Sequence, residues 1–148
     1  MSTVKQERSN WRDQELSERH RKWGFHCPAA DCDFILMEYD LGQPVALIEY
    51  KNEHYPWHKV NLYDKTFWAL RRLADRAHVL AFVVRYGDDQ KWFEVHALNL
   101  MALPEVPVGR LDELQYVTWL YGLRCDAKFP NGLPMPDSVR QEIAGRLG

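Results

Sequence analysis

Hydrophobic positions occur in short, separated blocks whose spacing predicts the elements of the fold. The clearest signal is two β-rich runs, residues 33–40 (DFILMEYD) and residues 44–51 (PVALIEYK). Gly42 lies between them, and glycine adopts a positive φ without steric cost, so the pattern predicts a β-hairpin with the loop Leu41-Gly42-Gln43. The second run is apolar from Val45 to Ile48, which is typical of a strand buried on both faces.

The later blocks predict a helix followed by two more strands. Apolar residues recur at helical spacing within residues 64–77, after Asp64 as a candidate N-cap. The positions expected on the buried face of this helix are Phe67, Leu70, Leu73 and Ala74. Residues 78–86 (HVLAFVVRY) are typical of a central strand, and residues 91–98 (KWFEVHAL) alternate as a strand does.

Further helices are predicted near both ends of the chain, over residues 10–22, 110–123 and 139–148, with a loop at 104–109. Residues 1–9 are expected to be a disordered tail, and residues 10–148 a single domain. The order helix, hairpin, helix, strand, strand, helix predicts an α/β (or α+β) fold with a mixed sheet flanked by helices.

Charged residues at the end of the second hairpin strand suggest chemistry. Glu49 and Lys51 are two apart and therefore share a strand face. With a three-residue loop, paired residues place Asp33 opposite Lys51 and Ile35 opposite Glu49, so Asp33 joins the same face at the open end. A two-residue loop would put Asp33 on the other face unless a bulge corrects the register. Two rival acids are Asp31, which has the right parity, and Asp40, which lies at the turn roughly 17 Å away along the strand.

Two carboxylates beside a lysine are a suitable set for phosphodiester hydrolysis. Carboxylate oxygens bind hard divalent cations, and Mg²⁺ typically uses one or two of them together with substrate phosphate oxygens. A lysine adds a fixed positive charge that stabilises a pentavalent phosphate or orients a water nucleophile. The alternative is a solvated surface pair at an ordinary strand end.

The segment from Asp33 through Glu49-Tyr50-Lys51 resembles the D-x(n)-E-x-K signature of the PD-(D/E)xK nuclease superfamily, which includes restriction endonucleases and Holliday-junction resolvases. The resemblance covers residues 10–98 and implies a restriction-endonuclease-like core: helix, β-meander, helix and strand. It implies that Asp33 and Glu49 bind Mg²⁺, with Mn²⁺ as a substitute, and that Lys51 assists catalysis. The family's first strand is expected near residues 22–27, and Cys32 stands where the motif has proline.

The resemblance also extends to additional residues. It implies the Tyr50 backbone carbonyl as a further metal ligand and a glutamate from the first helix, for which Glu18 is the best match and Glu15 the second. Candidate phosphate contacts are Arg71, Arg72 and His58, each with a solvated surface position or a plain loop as the alternative. DNA is the expected partner, in a bacterial or phage setting that is common in the family.

Overall composition adds few constraints. The net charge is −2 and no apolar run approaches a membrane span, so we expect a cytoplasmic protein that does not enter membranes. A homodimer is expected, with Tyr116, Trp119, Leu120 and Tyr121 supplying either its interface or ordinary core packing.

Two other functions remain open from the sequence. One is a catalytically inactive module of the same fold that binds nucleic acid or a protein. The other is a zinc-stabilised interaction domain built on Cys27 and Cys32, whose C-x4-C spacing lacks a second tight pair.

Overall fold

The computed structural model describes residues 13–23, 32–38, 42–56, 65–123 and 135–147. The chain divides into two compact units, residues 1–31 and residues 32–148, and each is described by itself. In chain order, the helices and strands are α1 (Asp13–Lys22), β1 (Phe34–Glu38), β2 (Gln43–Asn52), α2 (Lys65–Ala77), β3 (Leu80–Tyr86), β4 (Phe93–Ala97), a 3₁₀ helix (Leu100–Glu105), β5 (Arg110–Leu111), α3 (Glu113–Leu123) and α4 (Asp137–Leu147).

The first unit contributes α1, which confirms the helix predicted over residues 10–22 apart from its first residues, which lie outside the described part. Glu15 and Arg19 form an ion pair one helical turn apart on its exposed surface. None of the helices in the described ranges is long and apolar enough to cross a membrane.

The second unit is an α/β structure around a five-stranded mixed sheet with the strand order β1-β2-β3-β4-β5. β2 pairs antiparallel with β1 and parallel with β3, while β4 and β5 continue antiparallel. Two parallel neighbours require a crossover connection, and α2 supplies it. The predicted hairpin, the α2 helix and the two later strands are therefore confirmed. The predicted loop Leu41-Gly42-Gln43 was wrong in one residue, because Gln43 belongs to β2 and pairs with Glu38.

Helices cover both faces of this sheet, which explains why residues 45–48 of β2 and residues 80–84 of β3 are all apolar. The α2 face consists of Leu47, Phe67, Leu70, Ala74, Val79, Ala81, Val83 and Leu98. The opposite face consists of Val45, Ala46, Ile48, Phe82, Val84, Val95, Ala102, Tyr116 and Leu123. Leu73 was predicted to be buried on α2, but it is 54% exposed. It lies beside the stripe formed by the other three positions, so that part of the prediction was wrong.

Helix α3 packs its aromatic residues against the chain's own sheet. The Tyr116 ring is buried, stacks on Phe93 at 4.3 Å between ring centroids, and its hydroxyl lies 2.5 Å from that of Tyr50. Trp119 and Leu120 pack against the same cluster. Core packing therefore accounts for three of the four residues that were also candidates for a dimer interface.

Two elements were not predicted. Residues 104–109 were expected to be a loop and 110–123 a helix, but the 3₁₀ helix ends at Glu105 and β5 occupies Arg110–Leu111. Helix α3 begins after Asp112, whose carboxylate accepts a hydrogen bond from the Gln115 amide while the Gln115 side chain accepts one from the Asp112 amide. This reciprocal cap fixes the helix start and leaves the two preceding residues free to pair with β4.

A buried asparagine joins the ends of several elements on the α2 face. Asn99 is 4% exposed, and its Oδ1 accepts hydrogen bonds from the amides of Ala81 and Ala102. Its Nδ2 donates to the Val79 carbonyl and to an Asp75 carboxylate oxygen. The Asn99 side chain thus provides hydrogen-bond partners for polar groups at the start of β3, the end of α2 and the start of the 3₁₀ helix.

Asn99→Ala should lower the free energy of unfolding by about 2–4 kcal/mol, because it leaves several buried polar groups without partners. Urea unfolding followed by tryptophan fluorescence measures this loss. Asn52→Ala is the matched control, since its two side-chain hydrogen bonds are exposed and its loss should stay below about 1 kcal/mol. Equal losses in the two variants would contradict the role assigned to Asn99.

Candidate active site

The hairpin register brings Asp33 to the same face as Glu49, although not through the predicted pairing. The structure pairs Glu38 with Gln43 and, beyond a register shift between Leu36 and Met37, Ile35 with Leu47. The prediction that Ile35 lies opposite Glu49 was therefore wrong by two residues. An offset of two preserves the face, and two further steps along the hairpin, past the Phe34–Ile48 pair, place Asp33 opposite Glu49.

The register shift is a β-bulge at Val45. Met37 pairs with Pro44 and Leu36 pairs with Ala46, so Val45 is the extra residue on β2. Gly42 has the positive φ (64°) expected for this turn. Without the bulge, the pairing at the turn would have sent Asp33 to the opposite face of the sheet.

Asp33 closes the open end of the hairpin. It directly precedes β1, and its Oδ2 accepts a hydrogen bond of 2.8 Å from the Tyr50 amide, beyond the last β1–β2 pair. The side chain is exposed. Its carboxylate is therefore held at the edge of β2 and remains accessible to solvent.

Glu49 and Lys51 form a partly buried pair on the α2 face. The Lys51 Nζ lies 3.3 Å from Glu49 Oε1, and the two side chains are 26% and 12% exposed. The ammonium also lies 5.2 Å from the Tyr55 ring centroid and 5.8 Å from that of Phe67. Two rings and one carboxylate thus fix the lysine.

Burial raises the pKa of the Glu49 carboxyl, and the neighbouring Asp33 carboxylate raises it further, while Lys51 lowers it in part. Burial likewise raises the pKa of the Cys32 thiol, with Glu49 and Asp33 adding to the effect. In both groups burial is the largest cause, and the neighbouring carboxylate charges add to it. The three residues Asp33, Glu49 and Lys51 are therefore brought together as the sequence predicted.

The backbone of Tyr50 faces the same edge. A strand residue directs its N–H and its C=O to the same side, so the Tyr50 carbonyl points toward the edge where Asp33 binds the Tyr50 amide. The Tyr50 ring faces the opposite side of the sheet, where it makes edge contacts with Phe34, Tyr86 and Tyr116. These aromatic contacts anchor the middle residue of the E-x-K segment.

The donor set fits a hard divalent cation. Glu49 Oε2 is buried and has no hydrogen-bond partner among the described residues. A buried carboxylate oxygen without a partner is costly, and a cation would compensate it. Together with the exposed Asp33 carboxylate and the Tyr50 carbonyl, it offers the all-oxygen ligands that Mg²⁺ and Mn²⁺ prefer.

Within the second unit, Arg71 and Arg72 contact residues other than Asp33, Glu49 and Lys51. Glu18 and Glu15 lie on α1 in the first unit. Arg71 donates from Nε to the Leu98 carbonyl, at the end of the sheet opposite to Lys51, and Arg72 lies over the Trp68 ring. The positions outside the described residues are Cys27, Asp31, Asp40, His58 and Asp64. Their roles remain predictions.

Cys32, half of the candidate zinc pair, points its thiol at the Phe34 carbonyl at 3.5 Å and packs against the α2 face. Cys27, the other half of the pair, lies outside the described residues, so the zinc hypothesis stays a prediction.

A charged row that the sequence did not reveal continues from Lys51 across the sheet. Arg85 pairs with Lys51, Glu94 with Arg85, and Arg110 with Glu94. His96 also shares this face, with its Nε2 2.8 Å from Glu94 Oε1. Each residue alone resembles the polar position of an alternating strand, so only the register across four strands could have identified the row.

A second acidic group lies at the end of β2. Ligand atoms of Glu53, His54 and Asp88 lie within 4.8 Å of one another, and all three side chains are exposed. The Asp88 carboxylate already binds Asn52 and His54, and these hydrogen bonds lower its pKa. Such exposed groups are common without an ion, so we assign no metal here.

A cleft of about 400 Å³ lies at the starts of β2 and β3, lined by residues such as Pro44, His78, Leu80 and Met101. This is the end of the parallel pair opposite to Glu49 and Lys51, so the cleft is separate from the candidate site.

No protein-family model, curated protein or solved structure matches the chain.

Glu49→Gln should melt at a higher temperature than the wild type at pH 7 in EDTA, because it removes a partly buried negative charge that the folded state disfavours. The pKa of Glu49 is raised in the folded state, so the unfolded state releases its proton at lower pH. The stability of the wild-type protein therefore falls as the pH rises from the unfolded value of 4.5 through the folded pKa, and the variant should lose this dependence.

Thermal unfolding between pH 4 and pH 8 measures the effect. Asp88→Asn is a control of opposite sign, since the pKa of Asp88 is lowered and its ionised form favours the folded state. Added Mg²⁺ or Mn²⁺ should stabilise the wild-type protein and not Glu49→Gln. A melting temperature of Glu49→Gln equal to or below that of the wild type in EDTA would contradict this account.

Proposed function

We propose that this chain is a metal-dependent nuclease of the PD-(D/E)xK type that hydrolyses DNA phosphodiester bonds. One observation carries the proposal. Asp33 and Glu49 share a face at the open end of the β1–β2 hairpin, and the Lys51 ammonium lies 3.3 Å from the Glu49 carboxylate. Two acids and one lysine in this arrangement match the resemblance that the sequence motif suggested.

The order of elements supports a restriction-endonuclease-like core. β1 and β2 correspond to the second and third strands of the family's meander, and α2 and β3 to the helix and strand that follow. The acid that opens β1 and the E-x-K segment near the end of β2 then occupy the family's positions. β4 and β5 are additions at one edge of the sheet.

Each residue of the candidate site has its own role in the proposed reaction. Asp33, Glu49 and the Tyr50 carbonyl would hold the cation beside the scissile phosphate. When bound, Mg²⁺ supplies Lewis-acid polarisation of the phosphate and lowers the pKa of water. Glu18 is proposed as an additional ligand by resemblance to the junction-resolvase type.

Lys51 contributes a positive charge whose position is fixed. The ammonium is held against Glu49 and beside the Tyr55 and Phe67 rings, so little reorganisation is needed when a phosphate approaches. It stabilises the charge that accumulates on the phosphate oxygens and orients the attacking water. A homodimer remains our proposal for cutting two strands.

A second candidate is favoured by the hydrogen bond that Asp33 makes. Its carboxylate satisfies the Tyr50 amide at the end of the hairpin, which is a structural role that needs no metal. Cys32 also stands where the motif has proline. The alternative is a catalytically inactive module of the same fold that binds nucleic acid or a protein.

Cleavage of plasmid, linear duplex, single-stranded and branched DNA in Mg²⁺, Mn²⁺ or EDTA tests the proposal. We expect metal-dependent cutting that falls about 100-fold or more in Asp33→Asn, Glu49→Gln and Lys51→Met, because each removes a ligand or the fixed charge. Activity of the wild-type protein in EDTA should be absent.

Asp88→Asn is the matched control for Asp33→Asn, since it removes a nearby exposed carboxylate outside the proposed site, and it should cut at the wild-type rate. No cutting of any substrate by a folded wild-type protein would favour the inactive module. Loss of cutting in Asp88→Asn with activity retained in Glu49→Gln would indicate that the metal binds at the Glu53, His54 and Asp88 group instead.

A further inference from the structure

The charged row beside the candidate site continues onto the two strands that lie outside the proposed nuclease core. We define the β3–β5 strip as Arg85, Trp92, Glu94 and Arg110. The register puts Arg85 next to Lys51, Glu94 next to Arg85 and Arg110 next to Glu94, all on the face of Glu49. Three strand spacings separate Lys51 from Arg110, or about 14 Å.

Glu94 organises the strip without cancelling its positive charge. Its Oε1 lies 3.4 Å from Arg85 Nη1, and its Oε2 lies 3.4 Å from Arg110 Nε. Its hydrogen bonds to His96 and Arg110 outweigh burial and lower its pKa, so it is ionised at neutral pH. The strip therefore has two positive charges against one negative charge, and Lys51 extends it at the end near the site.

Trp92 gives the strip a flat aromatic base. The Arg110 guanidinium lies 3.9 Å from the Trp92 ring centroid, and that of Arg85 lies 5.9 Å from it. The indole is held in turn by close contact with Gly87, where an added Cβ would lie 2.5 Å from the indole nitrogen. A cation stacked on a fixed ring loses little conformational freedom when it binds an anion.

Arg110 is the member that best reaches solvent. Its side chain is 56% exposed, whereas those of Arg85 and Lys51 are 16% and 26% exposed. Its ion pair uses Nε, which leaves the planar edge of its two terminal amino groups facing away from Glu94. A guanidinium in this position can bind two oxygens of one phosphate.

We propose that the β3–β5 strip binds the phosphate backbone of DNA that flanks the scissile phosphate. Arg110 makes the contact, while Glu94 and Trp92 hold it in place and Arg85 adds a second positive charge. The strip deepens the nuclease function and rests on it. A distance of about 14 Å corresponds to about four base pairs at 3.4 Å each, so the footprint extends beyond the site on the β5 side.

Binding of fluorescein-labelled single-stranded and duplex DNA in EDTA tests the strip without any cleavage. One phosphate contact contributes about 0.7 to 0.9 to the slope of log affinity against log salt, or a roughly 5- to 8-fold change at 0.1 M salt. Arg110→Gln should therefore bind about 5- to 8-fold more weakly and show a slope shallower by this amount. Arg110→Lys, which keeps the charge, should restore the slope.

Arg146→Ala is the matched control. Arg146 on α4 is 54% exposed and pairs with the carboxylates of Glu113 and Glu142, so it resembles Arg110 in exposure and pairing. It should bind DNA as the wild type does. Far-UV circular dichroism and thermal unfolding check that Arg110→Gln is folded, and Arg110→Lys serves where it is not.

The outcomes separate the strip from the nuclease function. Wild-type cleavage together with unchanged affinity and slope in Arg110→Gln would overturn the strip alone. DNA binding that depends on Arg110 without any cleavage would support the strip and overturn the nuclease. Equal loss of DNA affinity in Arg110→Gln and Arg146→Ala would indicate a non-specific charge effect and overturn the strip. Binding of RNA or an acidic protein that is tighter than DNA binding and does not depend on Arg110 would also overturn it.

Discussion

The parallel pairing of β2 with β3 is the constraint on which the rest of the second unit depends. It runs from Ala46 and Leu80 to Asn52 and Tyr86 and buries the middle of both strands on both faces. A parallel pair needs a crossover, which makes α2 cover one face, and the other face must then be closed by α3 and the 3₁₀ helix. Polar side chains can project only where this double cover ends, and Glu49 and Lys51 lie there.

Much of this architecture follows from local sequence pattern. The apolar runs that became β2 and β3 and the helical spacing of Phe67, Leu70 and Ala74 identify the central strands and the crossover helix. These signals are strong because burial on both faces leaves no polar position in a strand. β5 has only two residues, and the reciprocal Asp112–Gln115 cap decides where it ends, so a periodic pattern could not reveal it.

The candidate site was predicted through its face and not through its pairing. The predicted three-residue loop put Asp33 opposite Lys51. In the structure Glu38 pairs with Gln43 at the turn, and this pairing together with the one-residue bulge at Val45 places Asp33 two residues away, opposite Glu49. Asp33 still lies on the predicted face, because side chains along a strand return to the same face every two residues. A bulge has no reliable local signature in an apolar run, since Val45 and Ala46 are both buried on the same side as Ile48. Only the pairing of the folded strands shows which residue is extra.

The sequence indicated a functional role for a strand residue only where that residue belonged to a recognisable motif. Asp33, Glu49 and Lys51 were selected because their spacing resembles a known signature. Arg85, Glu94 and Arg110 have no such spacing, since they come from three strands separated by turns and a 3₁₀ helix. Their relationship exists only across the sheet, through pairings whose partners lie 9 and 16 residues apart along the chain.

The burial of Glu49 distinguishes this strand end from an ordinary solvated one. An exposed ion pair contributes little to stability and costs little to keep. Glu49 is only 12% exposed, lies near a second carboxylate and has one oxygen without a partner in the described part of the chain. Lys51 offsets part of this cost, yet the pKa of Glu49 is still raised, so the ionised carboxylate destabilises the folded state. A glutamine would fit the strand without this destabilisation. Destabilising charge held in place by a well-packed sheet is the pattern expected where a residue is kept for binding or catalysis.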